Sequence, residues 1–382
     1  MKTIFISAAS WGDVPHPNMA AIWLARRGHD LTFVGPAQEH DSRLSTPLGN
    51  VAADALDAGR GRMHLHPGLL LKVLKQRRAA CGRALFFVQS APACPAAWLA
   101  LTGVSSRRIV YQTQDFLEPG RYPLWEFFER RLASRAGAVI CNEPNRARFM
   151  ASHYRLNHVP QVVRTALPRD WPIPERSLLT RRAMLAQCGR ADVPEALIVH
   201  AGGGFSTLRC SRQLYQAFGR LPDRYLLAVT QMTGDTAEAR LGKSLIQEAG
   251  IAARTIVLER LPYSELLATF AASDVGILLY PNDGIGNFYQ QPGRLSEYVA
   301  CGLPVVASNF PGLAAQVSHH RLGAVADPVL PDEIAQAILT LGERSLPERE
   351  ADRERLRVLA KNELAYESDG WKLEALLTEA AG

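Results

Sequence analysis

The sequence predicts an α/β protein built as two doubly wound halves in series. Short runs rich in Val and Ile alternate with segments of helical period along most of the 382 residues. That alternation is the pattern of parallel strands joined by helical crossovers. The strand candidates are continuously apolar, as strands buried on both faces are. The pattern lapses once, over residues 167–194, and then restarts.

In the first half the strand candidates are residues 3–7, 31–34, 84–88, 108–112, 138–141 and 161–163, with helical stretches at 18–27, 122–135 and 145–153. The opening MKTIFISAAS has too short an apolar run for a secretory h-region and reads as the first strand. Residues 84–104 carry no charge, a length that could span a bilayer. Pro92 and Pro95, with Gln89 and Ser90, instead divide it into a strand, a loop and a helix start. Lys72, Lys75, Arg77 and Arg78 accompany Leu69, Leu70, Leu71 and Leu74. This reads as a core-packed helix with a charged outer face, with a membrane-surface helix as the alternative.

Residues 167–194 are rich in proline and charge and serve as the linker candidate, with a possible helix in the middle. The second half offers strands at 196–201, 225–229, 255–258, 275–279, 305–307 and 323–325, and helices at 211–218, 237–249, 263–272 and 332–341. The expected domains are 1–166, a linker 167–194, 195–346, and a helical segment 347–382. That last segment is anchored by Trp371 and packs back towards the first domain. Two such sheets in tandem form a cleft at their strand ends, where open α/β sheets bind ligands.

Composition narrows the function. A hydrophobic content of 47% excludes a disordered chain. The net charge of +6 is a mild excess, open to two readings, a surface that touches phosphates or anionic lipid heads and a merely soluble one; no nucleic-acid partner is expected. The six cysteines form no C-x-x-C pair and read as reduced, mostly buried thiols of a cytosolic protein. His64 and His66 have no third ligand nearby, so no metal site is expected. Neither half opens with G-x-G-x-x-G, and no further glycine follows the run Gly202 to Gly204 at the motif's spacing, which disfavours a nicotinamide dehydrogenase.

The most informative stretch is NFYQQPGRLSEYVACGLPVVAS, residues 287–308. Pro292 suits a first helical turn, Gly302 the position past the helix end, and Pro304 blocks continuation, so a helix is expected over 293–301. The loop before it is rich in Gly, Asn and Gln, and exposed amides at a helix start make an anion site. Arg294 lies in the first turn, where the dipole disfavours a cation unless an anion is present. Glu297 shares its face. Spacing leaves two readings open: a surface i,i+3 pair worth about 0.3 kcal/mol, or an anion-facing cation with a carboxylate one turn on for sugar hydroxyls.

PGRLSEYVACGLPVVAS resembles the nucleotide-sugar motif of glycosyltransferase family four, in the branch with a P-x-[KR]-x-x-E-Y pattern. The resemblance extends through MAAIWLARRGHDLTFV, VYQTQDF, FFERRLASRAGAVICNEPNRARF, AGGGFSTLR and LPYSELLATFAASDVGILLYP. It implies a GT-B fold of two Rossmann-like domains around a cleft. The nucleotide-diphospho-sugar donor would lie on the C-terminal domain, and a glycan or lipid-linked acceptor on the N-terminal one. It further implies transfer with retention at the anomeric carbon, no metal or other cofactor, and a cytoplasmic place in surface-polysaccharide assembly, with possible peripheral contact at the inner membrane face. The sequence has no D-x-D triplet.

Residue by residue, the resemblance gives Glu297 the ribose. Gly286, Asn287, Tyr289, Gln290, Pro292 and Gly293 match the diphosphate and sugar loop, and Gly203 and Gly204 the close backbone approach. Arg209 matches the basic residue at the diphosphate; Arg212 or Arg294 would supply a second cation. Tyr289 stands where the family often has an acid, and Gln114 where many members have a histidine. Gln114 bonds a sugar hydroxyl but cannot be a base. Asp115 is an acid or orienting group, or a turn residue. The loop after the first strand offers Trp11, Asp13 and His16 as acceptor or donor contacts, or as a buried turn. Two alternatives share the fold: a non-hydrolysing sugar-nucleotide 2-epimerase, which needs dedicated acids and a cleft histidine, and an inactive nucleotide-sugar-binding partner.

Overall fold

The computed structural model describes residues 2–9, 11, 16–37, 43–46, 49–57, 67–80, 82–202, 205, 209–230, 236–258 and 261–381. The chain separates into two compact units. The first comprises Met1–Trp171, Gly284–Gly286 and Ala365–Gly382; the second Pro172–Asp283 and Asn287–Leu364.

The first unit holds strands β1 (Thr3–Ser7), β2 (Leu31–Ala37), β3 (Arg43–Thr46), β4 (Gly49–Asp57), β5 (Leu85–Gln89), β6 (Ile109–Gln112), β7 (Ala138–Cys141) and β8 (Gln161–Val162). Their order is β3-β4-β2-β1-β5-β6-β7-β8. All pair in parallel except β3 with β4. The Val/Ile runs form the buried middle, with Ile4, Ile6, Phe86 and Val88 in one apolar cluster. The β3–β4 hairpin was not expected. Its ADALD end is poor in β-branched and aromatic residues, yet β4 pairs with β2 from Thr32↔Ala52 onward.

The leucine-rich basic stretch forms the helix Pro67–Ala79 and buries Leu69 and Val73. Lys72 Nζ bonds Asp54 Oδ1 at 2.5 Å, and Gln76 bonds the other oxygen at 2.9 Å. The core-packed reading therefore holds for this helix. Residues 84–104 divide into β5, a short turn and the helix Cys94–Ala100. Among the described residues, no helix is long and apolar enough to cross a membrane. Glu129 is buried and accepts from Tyr111 Oη (2.6 Å) and Tyr154 Oη (2.7 Å), tying two helices to the sheet. Burial holds its carboxyl above the usual range.

The second unit holds β9 (Leu197–Ala201), β10 (Tyr225–Thr230), β11 (Thr255–Leu258), β12 (Val275–Leu278), β13 (Val305–Ser308) and β14 (Gly323–Ala326). They form an all-parallel sheet in the order β11-β10-β9-β12-β13-β14. The middle of residues 167–194 is the helix Leu178–Ala186, which buries Met184 and Leu185 against Ile198 and Leu226. Asp274 clamps it: Oδ1 accepts from Arg176 (2.9 Å), and Oδ2 from Arg181 (2.8 Å) and the Ile198 N–H (2.8 Å).

The C-terminal segment is two helices, Leu346–Asn362 in the second unit and Glu367–Ala381 in the first. Trp371, expected as the anchor, is 61% exposed. The buried contacts come instead from Leu373, Leu377 and Tyr366, whose ring lies 5.6 Å from Trp23. Helix phase decides this, since Trp371 points away from the face that carries the leucines.

Candidate active site

In the second unit the chain leaves β9 towards β10 and β11 on one side, then returns to build β12, β13 and β14 on the other. Beyond the carboxyl ends of strands at such a reversal, open parallel sheets leave a crevice. A cavity of about 60 Å³ lies there, lined by Ala201 at the end of β9, Gly202 after it, Leu279 after β12, and Arg209 and Arg294.

Arg294 comes from the helix Gly293–Ala300. Pro292 is its N-cap, in extended conformation, rather than a residue of the first turn as expected. The helix ends as the sequence predicts. Gly302 has φ +74°, its N–H donates to Val299 O (2.9 Å), and Leu303 N–H donates to Tyr298 O (2.8 Å). These two bonds make a Schellman closure.

The reading of Arg294 and Glu297 as a surface pair is overturned. Glu297 is 1% exposed, and its Oε2 lies 3.1 Å from Arg294 Nε, on a side chain 25% exposed. Its Oε1 accepts from Tyr263 Oη at 2.8 Å. The Arg294 guanidinium stands 4.8 Å over the Phe270 ring. A Cβ on Gly202 would come within 3.3 Å of its Cζ, so the glycine leaves the room this side chain occupies. Arg209 is exposed and stacks its guanidinium 4.4 Å over Tyr280. Two cations thus face one small cavity.

His200, at the end of β9, is fully buried. Its Nδ1 lies 3.1 Å from Tyr298 Oη. Burial, reinforced by the Arg294 charge, pushes its pKa down to about 3 from an ordinary 6.5, so the ring is neutral beneath the cavity. The unfolded chain takes up a proton that the folded chain refuses. Stability is therefore full above pH 6.5 and falls as pH drops towards 3, by about 2 kcal/mol at pH 5. Urea midpoints at pH 7 and pH 5 should show that loss in the wild type and a smaller one in His200→Gln. Equal losses in both would clear His200 of the effect.

The other sequence candidates fall as follows. Tyr289 and Gln290 are half-buried and rest on Gly312, where an added Cβ would come within 2.5 Å of the Tyr289 carbonyl carbon and 2.6 Å of Gln290 N. Asn287 donates to Asp283 Oδ1 at 2.6 Å. Gly286 groups with the first unit, where its N–H donates to Glu118 Oε1 at 2.5 Å and its carbonyl accepts from Arg146. Arg212 is exposed and does not line the cavity. In the first unit, Gln114 Nε2 donates to His16 O at 3.3 Å, and Asp115 is exposed in a bend. Trp11 is buried, edge-on to Phe33 at 5.0 Å, which is the buried-turn reading. Asp13, His64, His66, Gly203 and Gly204 lie outside the described residues. Among the described residues, no three His, Cys, Asp or Glu side chains cluster as metal ligands.

Sequence reasoning missed Tyr263, Phe270, Tyr280, His200 and Gly312. Tyr263 and Phe270 reach the site from the helix Tyr263–Ala272, which local spacing cannot connect to Glu297. His200 carried a signal, a polar residue closing an apolar strand just before three glycines.

Residues 211–359 match the family model described as glycosyl transferases group 1. The D-inositol 3-phosphate glycosyltransferase of Paenarthrobacter aurescens (strain TC1) is 26% identical over 284 residues, which is 71% of this chain. The match spans 62% of that relative's length. Among solved structures, Anabaena HepE in complex with UDP and glucose superposes with a TM-score of 0.76 at 18% identity, covering 99% of both chains. Sucrose-phosphate synthase from Thermosynechococcus elongatus gives a TM-score of 0.71 at 17% identity, covering 99% of this chain and 100% of the other. With the two parallel-sheet units described above, the chain has the GT-B fold of these solved structures, and its residues 211–359 are similar to the glycosyl transferases group 1.

Proposed function

We propose that this protein is a glycosyltransferase that moves a sugar from a UDP-sugar to a glycan or lipid-linked acceptor, with retention at the anomeric carbon and without a metal ion. The observation that carries the reading is the pair Arg209 and Arg294 facing one cavity beyond β9 and β12. Two cations there offset the charge that grows on a departing diphosphate, the electrostatic form of transition-state stabilisation. The donor as UDP-sugar follows the relatives, one of which holds UDP and glucose in its crystal.

In the proposed reaction the bond from the anomeric carbon to the diphosphate oxygen breaks, and its electron pair leaves with the diphosphate. The acceptor hydroxyl oxygen bonds to the same face of that carbon, and its proton passes to the departing phosphate. Tyr289, Gln290 and the Pro292–Gly293 turn take the sugar and phosphate edge. Gln114 and Asp115, with His16, are offered to the reacting sugar and the acceptor. The setting we propose is surface-polysaccharide assembly on the cytoplasmic side.

The test is a thermal-shift screen of UDP, GDP, dTDP and CMP, followed by hydrolysis assays of the matching sugar nucleotides with EDTA present. Stabilisation by UDP and slow release of sugar under EDTA are expected. A protein that binds none of the four, or that releases sugar only when a divalent cation is restored, would remove the reading.

A further inference from the structure

The loop of residues 287–291, which the proposed reaction offers to the sugar, starts from three residues that group with the first unit. Asp283 and Asn287 belong to the second unit, and Gly284–Gly286 between them to the first. We propose that Glu118 and Arg146 are positioning residues of the transfer reaction, which hold this segment by its N–H and C=O groups and so fix where the loop begins. The inference rests on the transferase reading above, in which Tyr289 and Gln290 meet the sugar. It adds two residues far in sequence from the motif at 292–308.

The segment has little to hold itself by. Ile285–Phe288 is a single helical turn, and an isolated turn is unstable and leaves its first N–H groups without intrahelical acceptors. Glu118 is half-buried on the stretch between β6 and the helix Pro123–Arg135, and it supplies those acceptors. Its Oε2 takes the Ile285 N–H at 3.0 Å and its Oε1 the Gly286 N–H at 2.5 Å. A carboxylate that accepts from two successive amides makes charge-assisted bonds. Both glycines leave room for it. A Cβ on Gly284 would come within 2.2 Å of the Glu118 carboxyl carbon, and one on Gly286 within 3.0 Å of Oε1. The Gly286 N–H, which the resemblance lends to the donor, is therefore already taken.

Arg146 holds the carbonyl side. It is buried on the helix Pro144–Tyr154. Its guanidinium donates to the Gly286 carbonyl and, at 3.2 Å, to the Gln114 carbonyl. Asn142 Nδ2 donates to that same Gln114 oxygen at 3.1 Å. One planar, rigid fork thus joins the stretch that carries Gln114 to the segment that opens the loop. Neither Glu118 nor Arg146 lines the cavity beyond β9, so they act on the loop's position and not on the leaving group.

Hydrogen exchange of the full chain, read by mass spectrometry over residues 284–291, tests the clasp. It is joined to kinetics of whichever UDP-, GDP-, dTDP- or CMP-sugar the wild type hydrolyses in the screen above. Glu118→Ala should speed exchange of this stretch about tenfold or more. It should lower kcat about five- to tenfold, because the sugar is held less well in line, while the Kd of the matching free nucleotide stays within about twofold. Glu118→Gln keeps one acceptor oxygen and should fall between. Gly284→Ala pushes the carboxylate aside without altering it and should reproduce the Glu118→Ala pattern. Arg146→Met should do so too, with Arg146→Lys recovering part of the rate. Unchanged exchange in Glu118→Ala would overturn the clasp, and faster exchange with unchanged kcat would overturn its part in the reaction. So would an equal loss of affinity for the free nucleotide, which marks a general loosening of the site. A wild type that hydrolyses none of the sugar nucleotides would remove the transferase reading, and faster exchange in Glu118→Ala would then still support the clasp itself.

Discussion

Replacing Arg209 with alanine should lower the turnover of sugar transfer about 10²- to 10³-fold, while the folded protein persists. The guanidinium is exposed and stacks on Tyr280 at 4.4 Å, an attraction worth about 0.5–1 kcal/mol at an exposed site. Its loss therefore costs little stability. The catalytic loss is larger because, in the proposed reaction, charge builds on the diphosphate as its bond to the sugar breaks, and a cation stacked beside the cavity offsets it. Arg294 remains across the same cavity, so activity falls rather than vanishes. Arg209→Lys keeps the charge but not the planar stacking and should retain part of the rate. Steady-state rates at saturating donor, beside a melting curve, check the prediction. Turnover within about threefold of the wild type would place the leaving group's stabilisation elsewhere.

The second large effect is on stability. Asp274→Ala should destabilise the second unit by about 3–5 kcal/mol. The carboxylate is 3% exposed and accepts from Arg176, Arg181 and the Ile198 N–H. Its removal takes the counter-charge from Arg181, leaves Arg176 with Glu350 alone, and deprives a β-strand amide of its side-chain acceptor. The helix Leu178–Ala186 loses its charged tie to the sheet and keeps the packing of Met184 and Leu185. Asp274→Asn keeps an acceptor and should lose less. Urea unfolding followed by far-ultraviolet circular dichroism reads the difference, because the sheet and helices of this unit carry the signal. A change under about 1 kcal/mol would mean that the arginines find other acceptors.

The strands were legible where the sequence was most apolar. The runs TIFIS, AVIC and TIVL match β1, β7 and β11 residue for residue, because their β-branched and apolar residues favour a strand. The β3–β4 hairpin was not legible, since ADALD has a weak strand preference and is held by pairing with β2. The helix Gly293–Ala300 announced itself through Pro292 and Gly302. The burial of its Arg294 and Glu297 did not, because that depends on Tyr263 and Phe270, about thirty residues earlier in the chain. The split between Arg209, which lines the cavity, and Arg212, which does not, turns on how the helix Ser211–Phe218 begins. Cys210 precedes that helix at φ +50°, a left-handed residue that no glycine announced.

The backbone of Tyr289 and Gln290 lies directly on Gly312, with no space for a methyl group between them. The route of that loop is set from below by main chain. Under the proposed function, the side chains at 289 and 290 can change while the glycine at 312 keeps the loop in place. Divergent donor preferences among such proteins would then begin at those two positions.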